Sequence, residues 1–290
     1  MKANKLALVI FIIAGSIIAC NKESAVNNAK KASSISNSVT VSTCDLFAYP
    51  DTIFYPKQSS SDYIVNPINV QDGKYGSFPD VLKIDRNSGA VNITKSETGL
   101  KYVVWFIPKG TKDTCKKFLT VSGINYADSI YTIATGLPLS IPVYNANTQA
   151  PISCNGTCEF GQELISLGIA INQSTGVIDL KQSLLNGALG KNPKNGTFKD
   201  FLMQYHIGDQ SGDALNSISF RLYYYKLRSQ VPDSLKNILN QKSSQVFLQD
   251  DTDADDDDLA SRININSITS KQGEGPEVKC RPPYIIVTQK

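Results

Sequence analysis

Short strand-like runs fill the chain from residue 44 onward, and Gly, Pro, Asn and Ser separate them. The clearest run is apolar and β-branched or aromatic from Tyr102 to Ile107, and Pro108 ends it. A second run, from Phe118 to Val121, follows after a short polar segment, so the two runs predict a β-hairpin. Helical periodicity is almost absent. This pattern is typical of sandwiches built from short strands, and it predicts an all-β fold.

A ten-residue segment occurs twice in the chain. Residues 84–93 align without gaps on residues 171–180, at an offset of 87 residues. Each copy predicts a strand, a tight turn and a second strand, with Gly89 or Gly176 at the turn position that needs a positive φ. An offset of this size is close to one sandwich domain of about 100 residues. The repeat therefore predicts two tandem domains.

A second similarity indicates where the domains end. Cys115–Val121 is similar to residues 280–287, since each begins with a cysteine and a basic residue and ends in an apolar run. We interpret both as last strands. This places domain 1 at residues 43–126 and domain 2 at residues 127–290, the second with an insertion at about residues 230–275.

The insertion contains the best helix candidate. Pro232 precedes Asp233, a residue type that caps helices, and Leu235, Ile238 and Leu239 follow at helical spacing. The sequence therefore predicts a helix over residues 233–242 that packs on a sheet edge.

The repeated turn reads I-D-x-x-S-G-x-V in the first copy and I-N-x-x-T-G-x-I in the second. It resembles an element of the cadherin-like and immunoglobulin-like repeats of bacterial surface proteins. The segments that follow, which begin at Gly99 and Gly196, and the loop that begins at Asp209 also resemble that family. The resemblance implies two tandem immunoglobulin-like β-sandwich domains.

The N-terminal segment has the pattern of an export signal. Two lysines precede an apolar run from Leu6 to Ala19, which suits a secretory signal and is shorter than the roughly 20 residues of a membrane-spanning helix. The run ends in Ile17, Ile18, Ala19 and Cys20, which resemble the lipobox of bacterial lipoproteins.

This resemblance implies that residues 1–19 are removed and that Cys20 carries the lipid that anchors the chain in a membrane. The residue after Cys20 is Asn21, whereas an Asp at that position would resemble an inner-membrane retention signal. We therefore expect a Bacteroidetes-type outer-membrane lipoprotein. The alternative is an ordinary secretory signal that leaves Cys20 as a thiol or half of a disulfide. Residues 20–42 are polar and small, which predicts a flexible tether.

The charge pattern argues against nucleic acid as a partner and makes calcium a candidate cofactor. A formal net charge of +3 on 290 residues, with no basic stripe, argues against nucleic-acid binding. Residues 250–258 are strongly acidic, and alternate residues there match calcium ligands: Asp251, Asp253, Asp255 and Asp257. An EF-hand loop from Asp251 would need Gly and Glu where Asp256 and Arg262 stand, so we favour a solvated loop without a cofactor.

Five cysteines remain beyond Cys20, and an exported protein is expected to pair most of them. They are Cys44, Cys115, Cys154, Cys158 and Cys280. Cys44 and Cys115 lie near the first and last strands of domain 1, which are neighbours in immunoglobulin-like sandwiches. Cys154 and Cys158 close a small loop in one alternative. In the other, Cys280 pairs with one of those two.

No catalytic motif is present in the sequence. The chain has one histidine, His206, and lacks the signatures of serine hydrolases, zinc proteases and phosphate-binding loops. Aromatic residues supply the candidates for ligand contact, namely Trp105, Tyr223, Tyr224 and Tyr225. For Trp105 the core of the sandwich is the favoured alternative.

Together these patterns predict a membrane-anchored, non-enzymatic lipoprotein that binds a partner or supports a surface assembly. One alternative is a carbohydrate-binding lipoprotein of a glycan-uptake system. Another is a hydrolase with a carboxylate pair that the sequence does not reveal.

Overall fold

The apolar run from Tyr102 to Ile107 forms the middle of an interior strand, β6. The computed structural model describes residues 43–136, 138–154, 156–246 and 281–290. The elements up to residue 121 are α1 (Thr43–Leu46), β1 (Ile53–Phe54), β2 (Ile64–Val65), β3 (Gly73–Phe78), β4 (Lys83–Ile84), β5 (Val91–Asn92), β6 (Leu100–Pro108) and β7 (Cys115–Val121).

Further strands and short helices follow from residue 124. They are β8 (Ile124–Tyr126), β9 (Ser129–Thr132), the 3-10 helix Ile133–Thr135, β10 (Leu139–Ser140), β11 (Pro142–Tyr144), β12 (Glu159–Phe160), α2 (Gln162–Ser166), β13 (Ala170–Ile171), β14 (Ile178–Asp179), α3 (Leu180–Leu185), β15 (Thr197–His206), β16 (Asn216–Tyr225), the 3-10 helix Arg228–Gln230, α4 (Asp233–Val246) and β17 (Tyr284–Thr288).

Two sheets enclose the first core. The larger has the order β1-β7-β6-β3, in which β6 is antiparallel to both neighbours and β1 runs parallel to β7. The smaller has the order β2-β5-β4. Alternate side chains of a strand face opposite sides, so Tyr102, Val104 and Phe106 point from β6 into this core, where Val91 of the smaller sheet meets them.

The second core lies under a five-stranded sheet of order β12-β15-β16-β17-β9. A three-stranded sheet, β10-β14-β13, and a two-stranded one, β11-β8, complete it. Phe201, Met203 and Phe220 of the large sheet pack with Ile178 of β14 and Tyr126 of β8. The predicted fold class, an all-β chain with sandwich units and a helical insertion, is confirmed.

The repeated segment folds the same way in both halves. Ile84 pairs with Val91 across the first turn, and Ile171 pairs with Ile178 across the second. Gly89 and Gly176 have φ angles of 72° and 70°. Each turn is closed by a polar side chain that accepts two backbone N–H bonds, from residues 87 and 88 to Asp85 and from residues 174 and 175 to Asn172.

The equivalence extends past the segment that the sequence aligns. Ser96 and Ser183, again 87 residues apart, each accept a backbone N–H and donate to a strand carbonyl at 2.6 Å. A tyrosine hydroxyl also donates to each turn glycine, at 2.7 Å from Tyr49 and 2.5 Å from Tyr126. The same hydrogen-bonded frame therefore occurs in both halves, built partly from residues outside the repeat.

Strand β17 has no equivalent in the first half. Without it, the order β9-β16-β15-β12 would repeat the order β1-β7-β6-β3. β17 lies between β16 and β9 and runs parallel to both. The predicted equivalence of residues 280–287 with Cys115–Val121 is therefore wrong in sheet position, because β16 takes the place of β7 and β17 is added to the sheet.

Helix α4 begins at Asp233 and contains the predicted helix. Its residues Leu235 and Leu239 pack on the outer face of the second large sheet, against Tyr223, Tyr225 and Ile286. None of the described helices combines the length and apolar character that crossing a bilayer requires.

Candidate binding surface

An arginine ringed by aromatic side chains lies on the outer face of β15, β16 and β17. Arg221 sits opposite Asp200 on β15 and Tyr284 on β17, and the next row places Phe198 opposite Tyr223. The guanidinium carbon of Arg221 lies 4.4 Å from the ring centroid of Phe198 and 5.4 Å from that of Tyr284. We call these five residues the Arg221 cluster.

Hydrogen bonds fix the orientation of Arg221. Its Nε and Nη2 donate to the two carboxylate oxygens of Asp200 at 2.6 and 2.7 Å, and Nη1 donates to the Tyr223 hydroxyl at 3.4 Å. The hydrogen bonds from Arg221 hold the pKa of the Asp200 carboxyl below its usual range. The Phe198 ring is 51% exposed, so the cluster offers one open aromatic face beside a fixed cation.

A buried ion pair holds β17 in place next to this cluster. Arg281 donates two hydrogen bonds to the carboxylate of Asp128, at 3.0 and 2.7 Å, and the Tyr284 backbone N–H donates to the same group at 2.5 Å. The guanidinium carbon of Arg281 also lies 3.8 Å from the Tyr284 ring centroid. Asp128 immediately precedes β9, so the pair ties the two parallel strands together.

The two sandwiches meet through buried hydrogen bonds. The Tyr205 hydroxyl lies 2.5 Å from Thr98 Oγ1 and accepts the Ile124 backbone N–H at 3.2 Å. Burial raises the pKa of Tyr205 to about 12. Asn125 Nδ2 donates to Glu97 Oε1 at 2.8 Å. These bonds join residues before and after the short turn at residue 123 into one polar junction.

Asp209 makes a second set of contacts at the junction. Its Oδ2 accepts hydrogen bonds from the Ser122 hydroxyl at 3.0 Å and from the Tyr144 hydroxyl at 2.7 Å. The loop that begins at Asp209 is therefore bonded to Ser122, at the end of the first sandwich, and to Tyr144 of the second.

A groove of 540 Å³ opens where the two sandwiches face each other. Residues 94–98 line one wall, and Leu202, Gln204 and residues 216–219 line the other. Its lining combines hydroxyl, amide and charged side chains with five apolar residues, which are Val81, Leu202, Leu215, Ile218 and Pro282.

Trp105 is placed in the interior, not on a binding face. Its ring is 3% exposed and packs with Val103, Phe78, Ile107 and Phe118 on the face of β6 opposite the main core. A ring this buried has no face free for stacking on a sugar, so Trp105 is a packing residue, which is the alternative that the sequence favoured.

The three consecutive tyrosines divide between the two faces of β16. Tyr224 belongs to the inner core, while Tyr223 and Tyr225 lie on the outer face under α4. All three are largely buried, so the predicted outward ring is covered by the helix insertion. Tyr223 still takes part in the Arg221 cluster through its hydroxyl.

The described cysteines form two disulfides. Cys44 is joined to Cys115, with the Cα atoms 4.9 Å apart, and Cys154 to Cys158, with the Cα atoms 5.0 Å apart. The second bond excludes the alternative in which Cys280 takes one of these partners. The remaining predicted sites lie outside the described residues: Cys20, Cys280, Asp251, Asp253, Asp255 and Asp257.

The described part of the chain contains little that resembles an active site. His206 on β15 lies 3.1 Å from the Glu159 carboxylate at the sheet edge, where Glu159 is exposed and His206 is half-buried. The carboxyls with shifted pKa values there, Asp62, Asp85 and Asp200, are all shifted down by hydrogen bonds. A general acid needs the opposite shift. Within the described ranges, His, Cys, Asp and Glu form no group of three or more that could hold a metal.

The sequence reasoning missed Phe198, Arg221 and Tyr284. Arg221 and Tyr223 are alternate residues of one strand, which was a signal for a shared face, but their cross-strand neighbours lie 21 to 25 and 63 positions away along the chain. Only the sheet order brings them together.

No family model matches this chain, and no curated protein matches it. Solved structures that are similar to it include human protocadherin-24 EC1-2, at 8% identity and a TM-score of 0.22, covering 61% of this chain and 96% of that one. Drosophila N-cadherin EC1-4 has 10% identity and a TM-score of 0.19, with 61% and 48% covered. The four N-terminal Ig domains of Dscam1 isoform 9.44 have 16% identity and a TM-score of 0.19, with 59% and 44% covered. TM-scores this low assign neither a fold family nor a function.

Proposed function

We propose that this chain is a non-enzymatic lipoprotein of the bacterial outer membrane, anchored by lipid on Cys20, that serves as a binding or scaffold module at the envelope surface. The Ile17-Ile18-Ala19-Cys20 sequence supports the anchor. The sequence lacks the signatures of serine hydrolases, zinc proteases and phosphate-binding loops, which supports the non-enzymatic part of the proposal. The partner is a protein or a glycan.

The junction carries this proposal. Direct hydrogen bonds through Tyr205, Asn125 and Asp209 join the two sandwiches. Buried hydrogen bonds with several partners fix orientation because breaking one leaves an unpaired polar group. Two domains connected by a flexible linker would hold a ligand or neighbour loosely, whereas this hydrogen-bonded junction suits a rigid support above the membrane.

Metabolic labelling with an alkyne palmitate analogue tests the anchor. The full-length protein expressed in a bacterial host is expected to incorporate the label, and Cys20→Ala is expected to abolish it, because the acyl chains are added at the lipobox cysteine. Cys280→Ala is the matched control and keeps the label. Label that persists in Cys20→Ala contradicts the lipoprotein assignment.

Carbohydrate capture is the second candidate, and the Arg221 cluster favours it. An exposed ring beside a fixed guanidinium is the type of platform on which a sugar face stacks, and the nearby groove supplies hydroxyl and amide partners.

A glycan array probed with residues 21–290 tests this candidate. If it is correct, Phe198→Ser weakens binding of the best glycan by about tenfold, the loss expected for one aromatic contact of about 1.4 kcal/mol. Leu185→Ser, at an exposed leucine on α3, is the matched control and leaves binding unchanged. Absence of binding by the unmodified protein to every glycan rejects carbohydrate capture and leaves the scaffold function.

A further inference from the structure

The second large sheet has an open edge along β15. Its edge neighbour, β12, pairs only with Tyr205 and His206. Gln204 is also satisfied, because its carbonyl accepts the Gly161 N–H at 2.8 Å and its N–H donates to Glu163 Oε1 at 2.6 Å. From residue 197 to residue 203, no strand among the described residues pairs with this edge.

The free backbone groups of this edge belong to alternate residues. Both backbone groups of Gln204 point away from β16, and the direction of the backbone groups alternates along a strand. The N–H and C=O groups of Phe198, Asp200 and Leu202 therefore point outward as well. These three residues present an array of unpaired donors and acceptors.

The first sandwich shows what normally covers this position. Gly99 precedes β6, and Gly196 precedes the equivalent strand β15. Each of these strands is the first arm of a hairpin. In the first sandwich the six residues of β3 cover β6 from Val103 to Pro108. The short β12 gives β15 much less cover. The second sandwich thus lacks most of an edge strand that its repeat possesses.

The side chains along this edge suit another strand. Phe198 is 51% exposed and Leu202 is 54% exposed, and both stand on the outer face. Between them, Asp200 is already bonded to Arg221. A lysine on an edge strand usually discourages pairing, but Lys199 turns its Nζ to within 5.0 Å of the Phe201 ring centroid in its own strand.

We propose that the open edge of β15 is a self-association site, at which a second copy of this chain adds its own β15 in antiparallel orientation. The free segment, residues 197–203, is centred on Asp200, so a two-fold axis at Asp200 uses its whole length. Phe198 then pairs with Leu202 of the other copy, Asp200 with Asp200, and Leu202 with Phe198. Each pair exchanges two backbone hydrogen bonds, since all three residues point outward.

The side chains of β15 are complementary to those of a second β15 in this register. Each exposed apolar residue meets an apolar residue of the other copy across the junction. The two Asp200 carboxylates approach the axis with their charges already matched by Arg221 in each copy. The result is one continuous sheet through both copies, with the two Arg221 clusters on the same face. This association needs no lipid anchor and is separable from the anchored function.

Sedimentation velocity on the mature chain with Cys20→Ala tests the proposal. A monomer–dimer equilibrium is expected at concentrations up to about 1 mM, the weak end of specific association. Leu202→Pro removes an outward N–H that would bond to the other copy, so it is expected to weaken the dimer at least about tenfold. The monomer is expected to fold, because proline is tolerated at a sheet edge where no bond within the sheet is lost. Leu202→Thr, which keeps the N–H, is expected to weaken it less.

Cysteine cross-linking tests the register without depending on the proline variant. Residues in a hydrogen-bonded antiparallel pair have Cα atoms about 5.5 Å apart, within the range of a disulfide. Asp200→Cys is therefore expected to form a covalent dimer under mild oxidation, and Lys226→Cys, at an exposed position beyond β16, is the control. A purely monomeric protein, a dimer that Leu202→Pro leaves intact, or equal cross-linking by the two cysteine variants would each overturn the proposal. Pairing with a strand of another protein would appear as the first of these outcomes.

Discussion

Replacing Arg281 with methionine is expected to lower the free energy of unfolding by about 3–5 kcal/mol, the cost of breaking a buried ion pair from one side. The Asp128 side chain is 2% exposed, and Arg281 provides both of its guanidinium hydrogen bonds. Methionine fills a similar volume but leaves the carboxylate charged in a buried position, where the Tyr284 N–H still donates to it. Urea denaturation followed by circular dichroism measures the change.

The chain contains a matched control for this prediction. Arg221 also makes a bidentate pair, but its partner Asp200 is 52% exposed, so water replaces the lost bonds. Arg221→Met is therefore expected to cost about 0–1 kcal/mol. Adding Asp128→Asn to Arg281→Met removes the unpaired charge and is expected to recover part of the stability. Equal losses for the two arginine variants would contradict the assigned role of burial.

The parts of the fold that the sequence predicted are mostly local. The β6–β7 hairpin joins residues no more than 21 positions apart, the two repeated turns are shorter still, and positive φ at Gly89 and Gly176 follows from the turn itself. The helix at Asp233 is local as well. Short-range patterns of this kind are written in adjacent residues, so they can be recognised without the sheet order.

The parts that could not be predicted depend on sheet order. The apolar run of β17 identifies it as a strand, but nothing in that run says that it enters between β16 and β9. The Arg221 cluster and the Asp128–Arg281 pair both follow from that insertion. For Trp105 the sequence left a surface alternative beside the favoured core position, because alternation along a strand does not say whether its second face is covered, as it is in β6.

The disulfide between Cys44 and Cys115 gives the second large effect. It spans a sequence separation of 71 residues and ties the start of the first sandwich to β7. In the chain-entropy model, closing a loop of this length restricts the unfolded chain by about 4 kcal/mol, whereas the Cys154–Cys158 bond, with a separation of 4, contributes about 2 kcal/mol. Cys44→Ser with Cys115→Ser is thus expected to cost about twice as much as Cys154→Ser with Cys158→Ser.

The denaturant dependence separates this mechanism from a simple loss of packing. Cys115 is buried, so replacing it also perturbs the core that Leu119 and Phe106 share. Packing loss shifts the urea midpoint at constant m, but release of a long cross-link exposes more surface in the unfolded chain and raises m. We therefore expect a higher m value for the Cys44 and Cys115 pair than for the Cys154 and Cys158 pair. A stability loss with m unchanged would assign the effect to packing, since the unfolded chain would then be no more open without the bond.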